Sequence, residues 1–388
     1  MARLGRTALL AFVTLAALAT AAFAGQANRP TPGGVWQVVA SPNVGNQANG
    51  LADVDALSAT DAWAVGSYQF TPQGSAPINQ TLVEHWNGTA WSVVASPDVG
   101  SGQNDLFAVE AVSANNVWAV GTFFDYNALA WLTLVEHWNG SAWSVVPSPS
   151  PSTRYNALQS IAAAGPNDVW AVGIEQTSSP INNRTLIEHW NGTAWSVVPS
   201  PNVGSGDNYL LGVAIASPAD VWAVGLHDVQ TLTEHWNGTA WSVVASPNTG
   251  PDANSLRAVT VVSASDVWAV GYVYPGNGNP QRTLAEHWNG SAWSIVATPN
   301  SGTGNNSLAA VAALSSTHVW AAGTFDSGSN KTLIERWDGA SWKIVTSPSP
   351  ATEAYLAGLA TVPSSTVWAV GAFEQGPGRT LVVRTTKG

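Results

Sequence analysis

Val35-Trp-Gln-Val-Val-Ala-Ser-Pro-Asn43 lies near the N-terminus, and Ala90-Trp-Ser-Val-Val-Ala-Ser-Pro-Asp98 repeats it 55 positions later. The second stretch ends a unit that recurs along the whole chain. The first ends a unit whose beginning is missing. Trp63-Ala-Val-Gly66 recurs with its Trp at Trp118, Trp170, Trp222, Trp268, Trp320 and Trp368, which gives seven copies spaced 46 to 55 residues apart. Glu84-His-Trp-Asn-Gly88 recurs at Glu136, Glu188, Glu234 and Glu286 and as Glu335-Arg-Trp-Asp-Gly339, six copies in all. The Ala90-Trp-Ser-Val-Val94 segment follows each of these, with its Trp at Trp91, Trp143, Trp195, Trp241, Trp293 and Trp342. The last unit reaches Thr380-Leu-Val-Val-Arg384 and stops before its own copy of that segment. Seven units are complete only if residues 35–43 supply the missing piece. A linear array has no use for that offset, whereas a closed ring requires it.

Each unit reads as four strands. The first carries Leu-x-small-Val, as in Leu106 to Val112. The second is Val-Trp-Ala-Val-Gly, the third runs from Thr-Leu to the Trp of Glu-His-Trp, and the fourth is Ala-Trp-Ser-Val-Val. Asn-Gly between the third and fourth predicts a tight hairpin in which both central residues take φ > 0. Strands apolar on both faces suit sheets packed against neighbours on each side. The 21 Trp divide as seven, six and seven among the three segments, plus Trp131. Each can bury roughly 150–250 Å². The predicted fold is all-β, a seven-bladed β-propeller of four-stranded antiparallel blades, its ring closed by the N-terminal strand completing the last blade.

Composition narrows the setting. Arg3 and Arg6, the apolar run Thr7 to Phe23 and the small-residue site Ala22-Phe23-Ala24 predict a signal peptide over 1–24. A short linker over 25–33 and one propeller over 34–388 follow, and the protein is expected to be secreted, extracellular and monomeric. Removing residues 1–24 takes away two arginines, so 11 Lys+Arg face 24 Asp+Glu and net charge moves from −11 to −13. Such a chain repels phosphate backbones and anionic lipid, so neither nucleic acid nor a membrane is an expected partner. No later stretch is long and apolar enough for a membrane-spanning helix. There is no cysteine, which removes disulfides, thiolate metal sites and a Cys nucleophile.

Three features make the sequence resemble the kelch-type and galactose-oxidase-like propellers over residues 34 to 388. A glycine ends the second strand, an aromatic sits on the third, and a Trp on the fourth is followed by Pro. Kelch repeats carry a Gly-Gly pair, whereas here single glycines such as Gly66 precede Ser67, Thr122, Ile174, Leu226, Tyr272, Thr324 and Ala372. The resemblance implies architecture and not the oxidase, whose copper site needs a Cys-crosslinked Tyr. The Asn-Gly-x-Ala-Trp turn also resembles the Asp-box of sialidase propellers without its Asp-x-Gly order. The Gly-His and Trp-Asp pairs of WD40 repeats are missing.

Residues present in every unit are most simply explained by the unit. His85, His137, His189, His235 and His287 occupy one strand position in separate blades, and Arg336 takes the same place in the sixth. These, like Glu84 and its five equivalents, read as structural hydrogen-bonding groups. Asn87, Asn139, Asn191, Asn237 and Asn289 also begin N-glycosylation sequons, which the hairpin explains without sugar. No G-x-S-x-G, P-loop or H-E-x-x-H is present. No cofactor is expected, with Ca²⁺ the one ion in view. Asp53, Asp55 and Glu110, on the innermost strands of blades one and two, are either a solvated channel lining or ligands for such a hard cation. His227-Asp228 marks the shortest loop between second and third strands.

In an up-and-down blade, the first–second and third–fourth turns share one rim, and these are short and nearly constant. The other rim carries long, variable loops, from 5 residues (Leu226 to Gln230) to 14 (Ser67 to Gln80) between second and third strands. Binding usually sits on variable loops held by a rigid scaffold. The aromatics gather there too: Tyr68, Phe123, Tyr126, Trp131, Tyr155, Tyr209, Tyr272, Tyr274, Phe325 and Tyr355 are the candidate ligand-binding residues. Some serve as caps on blade edges. The others offer a neutral, amide-rich face for stacking on sugar rings or a peptide, on which scarce Lys and Arg disfavour anionic ligands. Asn49, Asn104, Asn156, Asn208, Asn254 and Asn306 read as turn caps on the same rim. The sequence thus favours a non-catalytic extracellular module binding a glycan or protein. A glycan-active hydrolase or lyase at the channel mouth and a purely structural repeat protein are the alternatives.

Overall fold

A computed structural model describes residues 34–178, 181–250, 252–362 and 366–386. The expected leader (1–24) and linker (25–33) lie outside them. The 28 described strands form five separate four-stranded sheets and one of eight strands, in which a single parallel pairing, Tyr155 with Trp131, joins two blades. Seven blades result. Blade one is representative: Asn49–Ser58 is innermost, followed outward by Asp61–Phe70, Ile78–Trp86 and Trp91–Val93. The last blade consists of Ala354–Val362, Thr366–Glu374 and Gly378–Thr386, and its outermost strand is Val35–Val39. That strand runs antiparallel to Gly378–Thr386, pairing Trp36 with Thr385 and Val38 with Val383. Closure by the N-terminal strand follows the offset seen in the sequence. No described helix is long and apolar enough to cross a membrane.

The seams between blades rest on tryptophan. The fourth-strand Trp of each blade meets the second-strand Trp of the preceding blade edge-on. Ring centroids lie 5.5 Å apart for Trp143 and Trp63, 5.3 Å for Trp91 and Trp368, and 5.6 Å for Trp36 and Trp320. The other four seams repeat the contact at 5.3 to 5.5 Å. Perpendicular rings bring the positive edge of one indole to the negative face of the next, a term added to the area buried. The repeated His lies on the second-strand Trp of its own blade, as His85 on Trp63 at 4.3 Å, with Nε2 2.9 Å from Asp61 Oδ1. Arg336 holds the same shelf over Trp320 at 5.5 Å, because a guanidinium stacks on an indole as an imidazole does.

The Asn-Gly turn corrects the sequence reading. Gly88 has φ +93°, but Asn87 is not left-handed, and the turn's central pair is Gly88-Thr89. Glycine first is the type II′ pattern. Asn87 contributes its side chain, whose Oδ1 accepts from the N–H groups of Thr89 and Ala90. Asp338 does the same for Ala340 and Ser341, so either side-chain acid or amide serves.

Six glutamates lie in these seams without solvent exposure: Glu84, Glu136, Glu188, Glu234, Glu286 and Glu335. Ser41 donates to Glu84 at 2.7 Å and Ser246 to Glu286 at 2.6 Å, each across a blade boundary. The remaining carboxyl oxygens are largely unpartnered. Burial therefore pushes the acids up, to about 9 for Glu136 and about 8 for the others. Blade seven carries Val383 at this position.

Two expectations follow. Deleting residues 34–43 removes Trp36 from the Trp320 seam and leaves Gly378–Thr386 as an open edge; loss of a buried Trp alone costs about 3–5 kcal/mol. Urea unfolding should show the truncated chain markedly less stable, and an unchanged midpoint contradicts closure. The glutamates make stability depend on pH. A carboxyl whose folded pKa is raised keeps its stabilisation below the unfolded value near 4.5 and loses it as pH rises to about 8. Each group contributes a slope of about 1.4 kcal/mol per pH unit at most. Thermal scans should show Tm falling between pH 5 and 8, with a shallower fall in a Glu136→Gln/Glu234→Gln variant. A flat or rising Tm in the parent chain contradicts the burial of proton-bearing carboxyls.

Candidate functional site

The second-strand glycine shapes the channel. A Cβ on Gly66 would lie 2.1 Å from the Gly50 carbonyl oxygen, and one on Gly121, Gly173, Gly225 or Gly271 would lie 1.9 Å from its counterpart. Only glycine allows the two inner strands to approach this closely. Immediately beyond the contact, the first strand carries a β-bulge in all seven blades: the pairing skips from Leu51 to Asp53, Leu106 to Ala108, and so on round the ring. Bulges re-aim side chains. The skipped residues are Ala52, Phe107, Gln159, Leu211, Arg257, Ala309 and Ala357, and all seven line the axial channel. The Leu before each of them is invariant, while these residues vary.

The same residues floor a wider basin of about 550 Å³ at the variable-loop end of the channel, walled on one side by Tyr272, Tyr274, Gln281 and Ser307. Tyr272 and Tyr274 meet edge-to-face with centroids 5.7 Å apart. The Arg257 guanidinium lies 5.2 Å from the Tyr272 ring centroid and donates to its hydroxyl at 3.3 Å. Burial, then the neighbouring Tyr272, raises the Tyr274 phenol above its usual range.

Below the basin the channel has a volume of about 310 Å³ and contains Asp53, Asp55 and Glu110. They act as links between blades. Asp53 Oδ2 accepts from the Val109 N–H at 3.1 Å, Asp55 Oδ2 from the Ala111 N–H at 2.8 Å, and Glu110 from the Ala163 N–H. Ser160 does for Val213 what Asp53 does for Val109. Enclosure by protein raises Asp53 to about 7, raises Asp55, and raises Glu110 well above its usual value with the Asp55 charge adding to the effect. Among the described residues no three His, Cys, Asp or Glu side chains gather as a metal-holding group. Asp53, Asp55 and Glu110 each give a carboxyl oxygen to the next blade's backbone.

The predicted rim aromatics separate into groups. Tyr272 and Tyr274 wall the basin. Tyr126 and Trp131 pack with Phe124 at 5.0 and 5.4 Å, and Trp131 reaches Tyr155 at 6.2 Å, forming a second aromatic cluster over blades two and three. Tyr355 lines a cleft of about 330 Å³ where blades seven and one meet, beside Glu374, Asn49 and Gln69. The others turn inward or to neighbours. Phe123, Phe325 and Tyr68 pack on blade cores, Tyr68 donating to Gln80 at 2.7 Å, and the Tyr209 hydroxyl accepts from Asn183 at 2.7 Å. Much of what reads as loop is strand: pairing continues through Tyr68 and Gln80 to Phe70 and Ile78. This satisfies backbone groups that a bare loop would leave to water. The rim asparagines are caps, as Asn49 bonds Val44 and Gln47 in its own loop. Asp228, left-handed at φ +49°, forms the two-residue turn after His227. Sequence reasoning missed the bulge residues, although their variation inside a constant strand was visible.

No protein-family model matches the chain, and no curated protein does. Solved structures do. YCF48 bound to D1 peptide is 14% identical, with 91% of this chain and 97% of that one covered and a TM-score of 0.56. A protein of unknown function from Dyadobacter fermentans is 10% identical, with 91% and 98% covered and a TM-score of 0.54. An ulvan lyase of a polysaccharide lyase family, bound to a saccharide, is 10% identical, with 87% and 94% covered and a TM-score of 0.53. At these identities the likeness is one of fold: the chain is built as a β-propeller.

Proposed function

We propose that the chain is an exported, kelch-like propeller acting as a non-catalytic binding module, which recognises carbohydrate or protein on the variable rim with the axial basin at its centre. One observation carries the reading. The seven bulge positions, one per blade, carry Ala three times and Phe, Gln, Leu and Arg once each beside an invariant Leu, and they floor a basin walled by Tyr272 and Tyr274. A repeat that needed only stability has no reason to vary there. The basin combines flat aromatic edges with amide and hydroxyl groups, the mixture that saccharides and short peptides use. Structural neighbours include one protein bound to a peptide and one bound to a saccharide, which makes both ligand classes reasonable. The channel acids support binding over hydrolysis, since their oxygens are engaged with backbone N–H groups.

Binding should therefore depend on the tyrosines and not on the acids. On a panel of oligosaccharides and peptides, a Tyr272→Ala/Tyr274→Ala variant should lose at least tenfold in affinity for whatever the parent chain binds, with Tm within a few degrees of the parent. Trp131→Ala should have a smaller effect. Turnover of a panel saccharide that disappears in an Asp55→Asn or Glu110→Gln variant that still folds would replace this reading with the hydrolase.

A further inference from the structure

Arg257 stands apart from the chain's other bulge residues. The protein carries 13 Lys+Arg against 24 Asp+Glu, yet this arginine forms no ion pair with any described residue. The basin that it enters has no acidic residue in its own lining and no second cation, while the channel beneath, which Arg257 also borders, holds Asp53, Asp55 and Glu110. Its Tyr272 contact uses one of five N–H donors, which leaves a guanidinium edge open to the basin. The tyrosine face beneath holds the plane by cation–π attraction. A guanidinium held in this way matches the two oxygens of a carboxylate in a bidentate pair.

We infer that the basin binds a carbohydrate bearing a single carboxylate, a uronic acid residue, with that carboxylate seated on Arg257. The inference rests on the binding reading above and specifies its ligand. Charge argues for one carboxylate in place of a run of them. The net charge of −11 repels a polyanion at long range, while one compact monoanion meets the local cation. Geometry argues for a sugar over a peptide. An extended peptide would add to a free strand edge, but in blades two and four the inner-strand N–H groups of Val109, Ala111 and Val213 already donate to side chains of the preceding blade, which leaves fewer edge donors around the axis. Recognition is then left to side chains. Gln159, Gln281 and Ser307 provide donors and acceptors for ring hydroxyls, and Tyr272 with Tyr274 provides an apolar edge. The basin's volume of about 550 Å³ accommodates one or two sugar rings. The general expectation that this rim disfavours anions gives way at this one position.

The test is calorimetric titration of the full chain and of Arg257→Gln with three probes: a disaccharide of one neutral sugar and one uronic acid, which carries a single carboxylate, its neutral methyl ester, and a short peptide with a free C-terminal carboxylate. Arg257 is exposed, so its replacement leaves the fold intact, and Arg257→Lys serves as a second variant that keeps the charge but not the fork. The expected result is that the parent chain binds the acid at least tenfold more tightly than the ester. Arg257→Gln should bring the acid and ester affinities together, and Arg257→Lys should restore the difference in part. Equal affinity for acid and ester in the parent overturns the inference and leaves the basin as a site for neutral sugars. Arg257-dependent binding of the peptide without binding of the sugars overturns the choice of ligand class. Silence towards all three overturns the inference, and the panel of oligosaccharides and peptides then decides the wider reading separately.

Discussion

Every seam of the ring is held by one contact, an indole from the fourth strand set edge-on against an indole from the second strand of the preceding blade. Five of these contacts join segments that are neighbours in sequence, and a sixth, between Trp91 and Trp368, joins the first blade to the last. The seventh joins Trp36 to Trp320, and Trp36 lies in blade seven only because Val35–Val39 pairs with Gly378–Thr386. Without that pairing the contact is lost and the chain has two unsealed ends. In a protein without cysteine, no covalent link can replace it. Hydrogen bonds reinforce the same junction: Ser41, just past the N-terminal strand, reaches both Glu84 in blade one and Thr380 in blade seven.

Closure also determines the channel. Once seven blades face one axis, their first strands line it, and within each blade the glycine at the end of the second strand lets the two innermost strands approach closely. The bulge beside it releases one side chain per blade from the packing of the sheet. Those seven positions are the ones where the sequence can change without cost to the seams, and there it has Ala, Phe, Gln, Leu and Arg. Structural and recognition roles thus fall on adjacent residues of one strand. Asp53 links two blades, while its neighbour Ala52 lines the channel mouth.

How much of this could be read from the sequence depends on whether the information was local. The blade count, the strand order and the exchange of the terminal strand were legible, because they are consequences of repetition. The role of the repeated histidine was legible from Arg336, and the structure gives the reason, a shared Trp shelf. The hairpin was misread because Asn-Gly allows two turns, and the choice depends on Asn87 using its side chain as an acceptor. The partners of the channel acids were not legible. They are backbone groups some 50 residues away in sequence, a pairing that no spacing within one unit discloses. The rim aromatics were found but not sorted, since strand extension buries Phe123 and Phe325 against blade cores and leaves Tyr272 and Tyr274 at the basin.

The pairing of the two chain ends admits a direct measurement. In a chain with no native thiol, Val38→Cys and Val383→Cys introduce the only two cysteines, at positions that the structure pairs across the closing strands. The account predicts that mild oxidation forms one intramolecular disulfide in a monomer, consumes both thiols, and raises Tm above that of the reduced form by closing a long loop. Thiols that stay free, or that link one molecule to another, would contradict ring closure.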